Sequence, residues 1–149
     1  MQPRLVLTLA LSCLLTACPG DGTGLDENGN PLGPPGPDEG VTLSSDVQPI
    51  FTASCAFTDC HAGNNPVLGQ NLSAGQAYGS IVNVNSQEVP ALKRVLPLFP
   101  DSSYLVHKIQ GTQGSVGGLG GRMPLGGAAL TDEEIATIRA WITAGAPNN

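Results

Sequence analysis

Residues 54–63 read SCAFTDCHAG and set two thiols, Cys55 and Cys60, ahead of an imidazole, His61, with the second thiol adjacent to the imidazole. Four residues, Ala56, Phe57, Thr58 and Asp59, separate the thiols. On a regular helix, positions three apart lie about 60° apart round the axis, whereas positions five apart lie about 140° apart. A continuous helix would therefore splay the two sulfurs. If both are to serve one ligand, residues 56–59 have to leave the helix as a small loop.

Three chemistries suit this set. Covalent attachment of a haem uses all three residues: the thiols add across the two vinyl groups, and the following His takes an axial position on the iron. A Cys55 to Cys60 disulfide uses the thiols alone and leaves His61 without a task. Zinc would want a fourth strong ligand, which no other thiol of the mature chain is free to supply. The Cys-His pair closing a two-cysteine loop resembles the attachment site of the cytochrome c family, at Cys55, Cys60 and His61. The departure is the linker, four residues where two are usual, and some cytochromes c with longer linkers bulge at this point.

That resemblance directs attention to residues 111–127, GTQGSVGGLGGRMPLGG. A glycine-rich run can cradle phosphate, but no Gly-Lys-Ser/Thr follows and no strand-to-helix context surrounds it, so nucleotide binding is a poor fit. Met123 is the residue of interest. A thioether sulfur is the common second axial ligand in cytochromes c, and Met123 follows His61 by 62 residues, similar to the separation in single-haem class I members. Pro124 biases Met123 towards extended backbone. A gap-filling core methionine is the plainer reading. His107, the other candidate ligand, lies about 200° round its helix from Leu105 and reads as a surface histidine.

The N-terminus reads as an export signal. Arg4 is followed by an apolar run over residues 5–15, too short to span a bilayer. Leu15-Thr16-Ala17-Cys18 resembles the lipobox of bacterial lipoproteins. That resemblance implies removal of residues 1–17, Cys13 among them, and lipid on Cys18, several acyl chains giving a stable membrane anchor. It implies a bacterial cell-envelope location, facing the periplasm or the exterior. Cys55 and Cys60 are then the only thiols left, in an oxidising compartment.

Residues 18–43 are dominated by Gly, Pro, Asp and Asn with no hydrophobic period, a composition expected to remain a disordered tether reaching on the order of 25 to 30 Å. It carries five of the twelve acids. The chain as a whole has a formal charge of −6, which argues against nucleic acid as a partner. The remaining residues, 44–149, are nearly neutral and of single-domain size.

Within them the spacing predicts a helix capped by Ser44 or Ser45 and carrying Val47, Ile50 and Phe51 on one face. A short helix from Ser73 to Val82 would bury Leu72, Ala77, Ile81 and Val84. Residues 83–100, with three prolines, read as loop. Lys93 and Arg94 in that loop are either partners for haem propionates or solvated surface charges. Asp101 or Ser102 would cap a helix over 103–110. Thr131-Asp132-Glu133-Glu134 is a capping box opening a helix with Ile135, Ile138, Trp141 and Ile142, stopped by Gly145 and Pro147.

The expected fold is mainly α, a small cytochrome c-like helical domain with long Gly/Pro-rich loops. The order of helix, Cys-Cys-His, Gly-rich Met-Pro loop and capped final helix is similar to class I cytochromes c over about residues 45–146. That likeness implies that the first and last helices cross, with Phe51 near Trp141. It implies one covalent haem c with His61 and Met123 as iron ligands. It also implies electron transfer with redox proteins of the envelope rather than catalysis. Two alternatives stay open: a haem-free, disulfide-stapled envelope lipoprotein acting as a binding or structural module, and a haem protein with an open iron that reacts with peroxide or binds a gas.

Overall fold

A computed structural model describes residues 40–149, which fall within a unit spanning Pro35–Asn149. The expected signal segment, the expected lipidation position Cys18 and nearly all of the expected tether lie outside the described residues. Four α-helices carry the fold: α1 (Gln48–Ser54), α2 (Ala77–Ile81), α3 (Tyr104–Gln110) and α4 (Asp132–Thr143). Isolated backbone bridges, such as Val82 to Val95, tie the connecting loops together, and no strand forms among the described residues.

The first helix starts earlier than the Ser44 or Ser45 cap predicts. Thr42 is the cap: its hydroxyl accepts the Ser45 N–H at 3.1 Å, and Asp46 returns the favour to the Thr42 N–H at 2.7 Å. A wide π turn, Leu43–Val47, leads into α1, and Pro49 stands just beyond it. A proline ring crowds the carbonyl four residues back and offers no N–H, so a widened turn there is a low-cost accommodation. Leu43, assigned to the tether by composition, is buried with Val47 four residues on. Asn149 fastens this start, its backbone carbonyl accepting from the Ser44 N–H and its side chain from the Leu43 N–H.

α4 follows its sequence closely. Thr131 accepts the Glu134 N–H at 3.2 Å while Glu134 accepts the Thr131 N–H at 2.7 Å, a complete capping box. Three acids occupy the first turn, where the helix dipole favours negative charge. Ile138, Trp141 and Ile142 are fully buried, and the indole N–H donates to the Pro147 carbonyl at 2.9 Å. Gly145, at φ +97°, ends the element. The expected packing of the first helix on the last is displaced: α4 packs chiefly against the Leu43–Val47 turn that precedes α1, and against α3. Phe51 and Trp141 belong to the same buried cluster.

The middle elements are shorter than their patterns suggest. α2 begins at Ala77 and Ser73 makes no side-chain cap, while Leu72, Ala77 and Ile81 are buried as expected and Val84 is only half-buried. Ser103, not Asp101 or Ser102, precedes α3, and its hydroxyl accepts the Leu96 N–H and donates to the Phe99 carbonyl. The hydroxyl is thus committed to the loop before the helix and makes no cap bond.

Arg94 overturns the surface reading. The residue is 5 % exposed, and its guanidinium donates to the carbonyls of Leu68, Gly69 and Ser80. It thereby stitches the loop after His61 to the end of α2.

Candidate functional site

Cys55 closes α1, its N–H bonding the Phe51 carbonyl at 2.9 Å, and the helix ends there. Residues 56–59 leave the axis, and Asp59 takes φ +70° to bring the chain back, with the Cys60 N–H on the Phe57 carbonyl. Asp tolerates this left-handed backbone better than a branched residue would. The intervening four residues therefore form the loop that the five-residue separation demands. Both sulfurs are free; Cys55 is buried and Cys60 exposed. The Cys55 thiol is pushed up to about 11, chiefly by burial, with the Glu134 carboxylate and Cys60 adding to it.

His61 is half-buried and held by the loop that follows it. Its ring Nδ1 lies 3.2 Å from the Gln70 carbonyl, and its backbone carbonyl accepts the Leu72 N–H at 2.7 Å. A carbonyl oxygen only accepts, so in the neutral ring this contact puts the proton on Nδ1 and the lone pair on Nε2. Burial holds the ring below the ordinary imidazole range against the opposing pull of the Gln70 and Val67 backbone, and the Arg94 charge adds to the depression. The result is a neutral imidazole with a fixed tautomer, the form that binds a metal.

Cys55, Cys60, His61 and Met123 all border one cavity of about 420 Å³. Its walls are otherwise largely apolar, with Phe57, Val67 and Leu125 at the mouth, each about half exposed or more. Small-molecule and cofactor pockets span roughly 300 to 1,000 Å³ and are lined in this manner. Met123 is tied by its N–H to the Lys108 carbonyl at 2.9 Å, and the bond to Pro124 is cis.

Cys55, His61, Val67 and Met123 also border a smaller chamber of about 120 Å³ on the inner side. Polar groups gather there. The Tyr104 hydroxyl donates to Glu88 Oε2 at 2.6 Å, and Lys108 Nζ lies 3.2 Å from the same oxygen. Arg94 stands on the wall of this chamber. Burial, then Glu88, raises the Tyr104 pKa and keeps the phenol protonated. The sequence reading missed Glu88 and Tyr104 as site residues. Its one usable signal was Tyr104 and Lys108 four apart, on one face of a short helix.

His107 borders neither chamber. Its Nε2 donates to the Asp101 carbonyl at 3.1 Å and its Nδ1 accepts from the Thr112 hydroxyl at 3.0 Å. Among the described residues no group of three or more His, Cys, Asp or Glu side chains is placed to hold a metal ion by itself. Compared with protein-family models, with curated proteins and with solved structures, the chain matches none.

Proposed function

We propose that this chain is a lipid-anchored electron-transfer protein of the bacterial envelope, carrying one covalently attached c-type haem in the crevice between Cys55, His61 and Met123. The observation that carries the reading is His61, an imidazole pinned by Nδ1 to a backbone carbonyl. Its neutral form keeps the other nitrogen as a donor to a metal, in a cavity that two free thiols and a thioether also border. Cys55 and Cys60 would hold the haem by thioether bonds, and His61 and Met123 would bind its iron. The haem supplies reversible one-electron storage, and a His/Met pair is the ligand set that sets a comparatively high potential.

The remaining residues fit a group with an apolar body and charged carboxylates. Apolar side chains form the mouth, while Arg94 puts positive charge at the inner end. A disulfide staple would leave both the cavity and the His61 tautomer without a purpose. A zinc site would need a side-chain cluster that the described residues do not supply. Lipid on Cys18 would keep the domain at the membrane, within reach of redox partners there.

The test is expression of the full chain in a bacterium with haem-attachment machinery, followed by a denaturing gel stained for haem. The expected result is a haem-positive band at the size of the protein that disappears in the Cys55→Ala/Cys60→Ala variant. A colourless wild-type band would contradict the reading.

A further inference from the structure

Lys108 is a residue that an electron carrier of this kind does not by itself require. It stands in the last turn of α3 and is 8 % exposed. Burying an ammonium group is costly unless its hydrogen-bonding capacity is met. Here Nζ donates to the Leu119 carbonyl at 3.1 Å and lies 3.2 Å from Glu88 Oε2. The backbone carbonyl of the same residue accepts the Met123 N–H at 2.9 Å. One residue thus grips the glycine-rich loop twice, at Leu119 by its side chain and at Met123 by its main chain.

Other contacts converge on the same stretch. Gln113 Nε2 donates to the Gly120 carbonyl at 2.8 Å. At Gly118 any Cβ would overlap the Tyr104 hydroxyl, so only glycine lets the loop close over that ring. Beyond the short turn Gln113–Val116, residues 117–127 have no regular hydrogen-bonded structure. A glycine-rich segment loses more conformational freedom on ordering than any other. A ligand carried on such a chain is held only as well as the chain is tied down.

Resting on the haem reading, we propose that Lys108 is the positioning residue for Met123. Its ammonium clamps the Leu119 carbonyl so that the Met123 thioether is presented to the crevice, and Glu88, steadied by Tyr104, is the counter-charge that allows the clamp to be buried. Lys108 touches neither the haem nor the reacting electron, and acts through Met123.

The experiment uses the haem-loaded full chain with K108L, which loses the charge without adding a second thioether, and with K108R, which keeps charge. Positioning is read from the ferric sulfur-to-iron charge-transfer band and from the midpoint potential. Haem stain and helical circular dichroism report attachment and fold. K108L is expected to retain haem and helix, to lose the larger part of the band and to shift to lower potential, with K108R restoring both. Should the unpaired Glu88 unfold K108L, the neutral double variant K108L/E88Q carries the same test and is expected to lose the band as well. Trypsin cleavage after the exposed Arg122 gives a separate readout in haem-free protein, expected to run several-fold faster in K108L than in wild type.

A full band in K108L or the double variant, with unchanged cleavage, would overturn the inference while leaving the haem reading in place. Equal loss in K108R and K108L would reduce Lys108 to packing and overturn it too. A wild-type protein without haem would remove the reading and the inference together.

Discussion

Cys55 shows how a single side chain ties packing to chemistry. In the folded chain its thiol keeps its proton up to about 11, whereas an exposed thiol gives it up near 9.0. The folded pKa is the raised one, so the associated stability is fully present below pH 9 and is lost as pH rises through 11. For the haem-free, reduced chain, the unfolding free energy should fall by roughly 2 to 3 kcal/mol more in wild type than in Cys55→Ala across that interval. Chemical denaturation at pH 8.5 and pH 11 measures the difference, and parallel curves would show that the thiol is not buried as described. Met123 makes a complementary case. On the proposed haem reading, Met123→Ala should leave the haem attached but open one coordination position, so that the ferrous variant binds carbon monoxide rapidly and the midpoint potential falls. Wild-type protein that already binds the gas as fast would instead favour an open iron. At this scale the sequence could single out Cys55, Cys60, His61 and Met123, which the fold brings to one cavity, because the chemistry of Cys, His and Met resides in their identity and order. Glu88, Tyr104, Lys108 and the buried Arg94 were illegible for the opposite reason. Their role comes from partners brought together by tertiary folding, and a guanidinium in a Pro-rich loop looks like any solvated charge until three carbonyls are seen around it.

At the scale of elements, local rules succeeded where the signals were self-contained. Thr131 and Glu134 satisfy each other's N–H groups within one turn, so the start of α4 follows from four residues. Thr131→Ala should cost about 1 kcal/mol of stability, the usual magnitude for a lost cap. Thermal unfolding of the variant checks it, and no change in midpoint would mean that the exposed box contributes nothing. The first helix was placed late because Ser44 and Ser45 are equally good caps in isolation. What decides for Thr42 is distant: Leu43 is drawn into the core, and Asn149 supplies partners for the first free N–H groups. The Ser103 cap position was hidden likewise, by a hydroxyl already committed to the preceding loop.

For the whole molecule, a helical class with long loops was legible, since its apolar positions recur at helical spacing and prolines and glycines fill the rest. The composition also separates an acidic N-terminal stretch from a nearly neutral remainder. What the pattern did not contain is the shape of the crevice: its apolar mouth, its polar inner end, and the way residues 54–72 and 111–127 meet across it. That meeting depends on α3, whose one short helix ties the Met123 loop through Lys108 and the Glu88 loop through Tyr104. The central claim is that these surfaces enclose a macrocycle bonded to the chain at Cys55 and Cys60. Intact mass of the denatured mature protein, purified from a host that attaches haem, tests it most directly. The account predicts the mass of polypeptide and lipid increased by one haem, whereas polypeptide and lipid alone, or lighter by two hydrogens for a disulfide, would contradict it.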